Sequence, residues 1–285
     1  MRKMFQDIAP YVLHNEWELR APKTGDLIIY SEGEKVFMRL DNDRVILPSY
    51  DECKDLGEFR FLLKLDERGI YMLFPKNEIN MVEKLTLLGY ELKDKFTFRG
   101  KAPNEIAFAA SVAFHLTSFY EKNKYCGACG SVYRHSDKER ALICPKCNQH
   151  LYPRINPAMI VAITDGDKIL LSKYAGGYYN RYALVAGYAE IGETIEQTVH
   201  REVMEETGLK VKNVRYFTSQ PWPFTQSLLI GFFAELDGSP EVTLDDGELS
   251  VAEWFKREDI PRDDSTLSMT KTMIEYFRAH PEEFK

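Results

Sequence analysis

No apolar run in this chain approaches the roughly 18 residues that a membrane-crossing helix needs, and charges stand toward both ends of its first 20 residues. Neither a membrane span nor a secretory leader is expected, so the reading is a soluble, cytoplasmic protein. Positive charge is also in deficit: 37 Lys and Arg stand against 44 Asp and Glu, a net charge of −7. Non-specific attraction to long nucleic acid is thereby excluded, and an anionic substrate requires metal ions or a local basic site. Cysteine is scarce, with five in 285 residues, which excludes a disulfide-dense scaffold. Low-complexity segments and repeats at periods of about 20 to 50 residues are missing as well. What is present is an ordinary globular composition, 44% hydrophobic, 28% charged and 13% aromatic, in a length that suits about two domains.

From Asp26 to about Phe98 short apolar runs alternate with turns: Leu27 to Tyr30, Lys35 to Leu40, Arg44 to Leu47, Phe59 to Leu65 and Ile70 to Phe74. Glu32-Gly33 and Arg68-Gly69 punctuate them as hairpin turns. Pro103 and Asn104 then open an Ala- and Phe-rich segment to about Tyr120, which reads as a largely buried connecting helix. Beyond residue 154 an apolar strand at Ala158 to Ile163 is followed by strands at Lys168 to Ser172 and Tyr182 to Ala186, then by a long amphipathic helix. Strands near Val214 to Thr218 and Ser227 to Glu235 come next, then a helix from about Met269 to Ala279. Three stretches are expected: a β-rich domain with its connecting helix at 1–122, a small module at 123–153, and an α/β or α+β domain at 154–285.

The small module contains Cys126-Gly-Ala-Cys129 and Cys144-Pro-Lys-Cys147. Two C-x2-C pairs at this separation match a structural zinc site, because four thiolates close a tetrahedral shell and leave no position for a reacting water. Four reduced, unligated thiols are the plain alternative. Arg134, His135, Lys138 and Arg140 lie between the pairs and read as a solvated face, since Asp137 and Glu139 interrupt the charge.

The most informative stretch runs from Gly187 through Glu193, Arg201, Glu202, Glu205 and Glu206 to Gly208 and Leu209. Thr194 with Gln197 has capping-box spacing, and Gly208 can end the helix in a left-handed conformation. Ile195, Val199 and Val203 repeat every four residues toward a core, and Glu202, Glu205 and Glu206 share another face. Like charges at i,i+4 and carboxylates near a helix C-terminus are both unfavourable. Mg2+ or Mn2+ would remove both penalties, since hard cations take oxygen ligands and in turn hold phosphates. A merely acidic solvated face is the alternative.

The stretch fits G-x5-E-x7-R-E-U-x-E-E-x-G-U, with U a bulky aliphatic, and so resembles the signature of the Nudix hydrolases. Multiplied background frequencies put a chance match on the order of one in ten million for this length. The resemblance implies an α/β/α sandwich that binds metal through Glu202, Glu205 and Glu206 and directs water at a diphosphate linkage. It leaves three roles open for Glu193: holding water, orienting a ligand, or acting as base. Arg201 is expected to orient a carboxylate.

Further on, Ser219-Gln-Pro-Trp-Pro-Phe-Thr-Gln-Ser227 resembles the SQPWPFPxS motif of the NADH pyrophosphatase subgroup, which also removes NAD caps from RNA; Thr225 departs from it. Two prolines stiffen this loop, and Trp222 and Phe224 offer flat surfaces for a nicotinamide or adenine ring, with Gln220 and Ser227 beside them. Packing as core or dimer interface is the alternative for Trp222. The four-cysteine module, the Leu151-Tyr-Pro-Arg-Ile-Asn-Pro157 junction and the β-rich first domain follow the subgroup's domain order. Tyr152 and Tyr188 match positions where it places rings that sandwich a base, and Glu248 matches a further metal-binding carboxylate, more loosely. The resemblance also implies a homodimer, with NADH, NAD+ or NAD-capped RNA as substrate and zinc in the ribbon.

Overall fold

The computed structural model describes residues 4–101, 104–175, 181–244, 247, 249–262 and 268–284. Contacts divide the chain into two units. One is Phe5–Arg154 with Pro223–Gln226; the other is chiefly Ile155–Trp222 and Ser227–Lys285.

In the first unit, Gly57–Leu65 and Arg68–Pro75 form an antiparallel hairpin, with Leu27–Ile29 parallel to its second strand. The turn falls on Asp66, which takes a φ of 51°, and not on Arg68-Gly69, which are already strand. A second sheet centres on Lys35–Asp41, flanked by Arg44–Ile46 and Glu91–Asp94. Between these sheets Ile28, Phe37, Phe61, Tyr71 and Leu73 are buried. Helix Glu78–Leu87 closes this core with Met81 and Leu85, one turn apart, and Asn77 caps its first turn by accepting from the Asn80 amide. Helix Asn104–Lys122 is buried along most of its length, because Ala107, Ala110 and Ala113 allow neighbours close to its backbone. Cys53 is fully buried in the first core, and burial pushes its thiol up to about 12.

The residues between the cysteine pairs depart from the expected solvated face. His135 packs edge-on to Phe74 and against Tyr120, and Arg140 donates to the Leu62 carbonyl. Alternation along Arg134–His135 and Leu142–Ile143 turns every second side chain inward, whatever its charge.

The second unit is an α/β/α sandwich, whose elements are labelled in chain order. Strands β1 (Asn156–Asp165), β2 (Lys168–Tyr174), β3 (Val185–Tyr188), β4 (Val211–Trp222), β5 (Ser227–Leu236) and β6 (Leu249–Lys256) form one sheet in the order β4-β5-β1-β2-β6, with β3 also paired to β1. Strands β1 and β5 run parallel; the other pairs are antiparallel. Helices α1 (Ile195–Thr207) and α2 (Met269–Ala279) cover opposite faces. Strand β1 serves both: Met159, Val161 and Ile163 pack with Val199 and Val203 of α1, and Ile160 and Ala162 pack with Met273 and Phe277 of α2. A strand buried on both sides has no polar alternation, which is why 158–163 reads as one apolar run. The third strand begins three residues later than expected, and Tyr182 precedes it.

Candidate active site

The turn before α1 is built as its residues dictate. Thr194 Oγ1 accepts from the Gln197 amide at 3.2 Å and the Gln197 side chain accepts from the Thr194 amide at 2.8 Å. Gly208 closes the helix at φ 68°. Within it, the carboxylates do not form a solvated row. Glu202 is 9% exposed and Glu206 3% exposed, whereas Glu205 is open to solvent. Burial of two carboxylates one turn apart is costly unless cations balance them. The Glu202 carboxylate lies directly over Gly187 of β3: a Cβ there would sit 2.0 Å from its Cδ. The glycine that opens the motif therefore makes room for the Glu202 carboxylate of α1, a use that spacing alone did not reveal.

Arg201 ties the cluster together. Its Nε and Nη2 grip Glu193 at 2.7 and 3.0 Å, Nη1 donates to Glu202 and Glu205 at 2.8 Å each, and Nη2 also donates to the Tyr188 carbonyl at 2.9 Å. Glu193 accepts in addition from Thr198 Oγ1 and the Glu190 amide, each at 3.0 Å. These bonds, led by the guanidinium of Arg201, hold its carboxyl down to about 2. The same carboxylates, Glu193 first, hold Arg201 firmly in its charged form. One guanidinium serves several carboxylates, so the donor set retains excess negative charge and consists of hard oxygen atoms. That is the chemistry Mg2+ or Mn2+ requires.

Elsewhere in this unit, Tyr188 is 50% exposed and shares a hydrogen bond of 3.2 Å with the buried Ser227 hydroxyl. Gln220 is fully buried, and its side-chain oxygen accepts from the Met269 amide at 3.0 Å, fixing the start of α2. Trp222 ends β4, paired in register with Ser227. Glu248 lies outside the described residues. In the other unit Tyr152 is 52% exposed and donates to Glu139 at 3.1 Å. The expectation for Phe224 is corrected: it is 2% exposed and stacks on Phe5 and Phe96, at 5.9 and 5.2 Å between ring centres. Its ring faces protein, because two aromatic neighbours bury it more completely than a half-open ligand surface would.

The four ribbon sulfurs lie within 4.8 Å of one another, with Cys126–Cys147, Cys129–Cys144 and Cys129–Cys147 at 3.6, 3.4 and 3.7 Å. Thiolates about 2.3 Å from a shared tetrahedral zinc stand roughly 3.8 Å apart. The thiols therefore fit zinc. Matching turns present them: Gly130 donates to the Cys126 carbonyl at 2.8 Å and Asn148 to the Cys144 carbonyl at 3.0 Å, with φ of 71° and 56°.

Residues 154–276 match the NUDIX domain family and residues 121–152 the NADH pyrophosphatase zinc ribbon domain family. The chain thus combines a Nudix domain with a zinc ribbon of the NADH pyrophosphatase kind. It is similar to the NAD-capped RNA hydrolase NudC of Escherichia coli O1:K1 / APEC and of Escherichia coli O127:H6 (strain E2348/69 / EPEC). Each is 49% identical over 146 residues, covering 51% of this chain and 56% of the relative. The chain therefore spans little more than half the length of the curated relatives it matches. Among solved structures, a NUDIX hydrolase from Nitrosomonas europaea has a TM-score of 0.48 and 25% identity, over 56% of this chain and 91% of that one. An ADP-ribose pyrophosphatase from Streptococcus suis has a TM-score of 0.37 and 21% identity, over 44% and 92%. Among the described residues no helix is long and apolar enough to cross a membrane.

Proposed function

We propose that this chain hydrolyses the diphosphate linkage of NADH or NAD+, giving nicotinamide mononucleotide and AMP. The observation that carries the reading is the carboxylate cluster of Glu202, Glu205 and Glu206, with Glu202 and Glu205 clamped by Arg201, on a Nudix domain. Glu202, Glu205, Glu206 and Glu248 would hold Mg2+ or Mn2+, which supplies charge neutralisation for the diphosphate and an activated water. Glu193, engaged through both oxygens and kept ionised, positions Arg201 instead of taking a proton. Tyr188 offers a half-open ring surface to a base, and Tyr152, in the other unit, is equally exposed. Gln220 shapes the pocket by fixing α2, Ser227 fixes the Tyr188 ring, and Trp222 contributes a wall at the end of β4.

Purified protein is incubated with NADH, NAD+ and ADP-ribose in Mg2+ or Mn2+, and the products are identified by mass. NMNH and AMP from NADH, abolished by EDTA and lowered at least about a hundredfold by Glu206→Gln, support the reading. Wild-type turnover in Glu206→Gln with metal content unchanged sinks it. A second reading, supported by the likeness to the NAD-capped RNA hydrolases, is the same cleavage at the 5′ end of NAD-capped RNA; competition between NADH and a capped transcript ranks the two. The family resemblance further supports a homodimer, measurable by sedimentation equilibrium, and a cytoplasmic setting in which the ribbon thiols stay reduced for zinc.

A further inference from the structure

Within the first unit lies a cavity of about 590 Å3, inside the range of roughly 300–1,000 Å3 that encloses a whole small ligand. Three parts of that unit meet around it. The β-rich segment supplies Tyr30 and Phe74, the last turn of helix Asn104–Lys122 supplies Tyr120, and the ribbon supplies Tyr133. Glu32, Glu78 and Glu121 stand in the same lining.

Each ring is held by a neighbour. Tyr120 and Phe74 pack on the imidazole of His135, at 4.9 and 5.6 Å between ring centres. The Tyr30 hydroxyl bonds the Glu32 carboxylate, and the Tyr133 hydroxyl donates to the Cys126 sulfur. The carboxylates converge on Tyr30: burial first, then Glu78, Glu32 and Glu121, push its hydroxyl up to about 12. Glu121 accepts from Ser31 Oγ at 2.8 Å, and burial raises its carboxyl above the usual range. Of the two lysines in the lining, Lys122 pairs with Glu34 at 3.5 Å and Lys124 partly offsets Glu121.

Aromatic faces attract a cation that approaches within about 6 Å of the ring centre, most strongly where water is excluded. The carboxylates add to that attraction, as does the negative end of helix Asn104–Lys122, whose last residues line the cavity. Phosphate would be repelled by the same groups. A bare metal ion would leave four ring surfaces unused, whereas an organic ion covers them with apolar area while its charge meets the acids. We propose that this cavity binds an organic cation, an ammonium or pyridinium group on a small molecule, apart from the carboxylate cluster of the other unit. Two sources share that chemistry: a free quaternary or alkyl ammonium compound, and the oxidised nicotinamide ring. Only the second source rests on the diphosphatase reading.

The test uses the full, zinc-loaded chain without added Mg2+ or Mn2+, and calorimetry with two matched pairs of probes. One pair is choline and its uncharged carbon isostere; the other is nicotinamide methylated on its ring nitrogen and nicotinamide itself. At least one cation is expected to bind wild type, at least about tenfold more tightly than its uncharged counterpart. The double variant Glu32→Gln/Glu121→Gln should weaken that cation at least about tenfold while NADH cleavage, assayed with Mg2+, stays at the wild-type rate. Binding of the methylated nicotinamide identifies the pyridinium source, and binding of choline alone identifies a free ammonium compound. Absence of binding, equal affinity within both pairs, or unchanged affinity in a folded double variant overturns the proposal. Should the double variant fail to fold, the matched pairs on wild type decide. A wild-type chain that binds the cation and leaves NADH intact would sink the diphosphatase reading and leave this site standing.

Discussion

A guanidinium that bonds three carboxylates and a carbonyl has no substitute among the other side chains. In Arg201→Lys one ammonium cannot reproduce the fork on Glu193 and reach Glu202 and Glu205 as well; kcat/KM is expected to fall at least about tenfold in a steady-state NADH assay. Gly187→Ala tests the neighbouring contact. The added methyl must displace the Glu202 carboxylate, since it would sit 2.0 Å from Cδ. A shift near 1 Å at the reacting centre costs on the order of a hundredfold in kcat, with a circular dichroism spectrum like that of wild type. At this scale the spacing of Glu202, Glu205 and Glu206 was legible, because the motif fixes residue types. Their unequal burial was not: acidic rows are usually solvated, and the approach of Gly187 in β3 to Glu202 is a tertiary contact. Phe224 was misread for a related reason, since a ring in a proline-stiffened loop has the same sequence appearance whether it faces ligand or core.

Among the elements, α1 was the most legible, with Thr194, Gln197 and Gly208 marking both ends where the structure has them. Thr194→Ala removes one half of the capping box and is expected to destabilise by about 1 kcal/mol, read as a lower urea midpoint with an unchanged slope; Thr194→Ser restores it. Helix Glu78–Leu87 gave no comparable signal, because Met81 and Leu85 are its only buried positions and polar residues surround them. Strand β3 was displaced from its expected bounds because pairing with β1, not local hydrophobicity, selects Val185–Tyr188. The ribbon was legible outright, since cysteine spacing encodes a geometry as well as a composition. Serine at Cys144 should cost the protein its zinc, measured by atomic absorption, and release the turns of that knuckle.

For the molecule as a whole, stability should depend on acid through groups that folding keeps neutral. Burial first, and then Arg60, hold His135 down to about 4, with Asp137 opposing. Below its ordinary value of about 6.5 the unfolded chain gains a proton that the folded chain refuses, so stability is intact above pH 6.5 and declines toward pH 4. The loss is on the order of 1 kcal/mol, allowing for partial contact with solvent. Melting temperatures between pH 7 and 4.5 should therefore fall less steeply in His135→Gln than in wild type.

Cys53 gives the chain a built-in experimental convenience. Fully enclosed in apolar surroundings and held in its thiol form, it is invisible to alkylating reagents while the fold persists. Colorimetric thiol counting on native protein should accordingly register four groups once a chelator strips the ribbon and a fifth only in denaturant. Thiol reactivity then becomes a direct gauge of ribbon occupancy, with no label to introduce and no cysteine to remove.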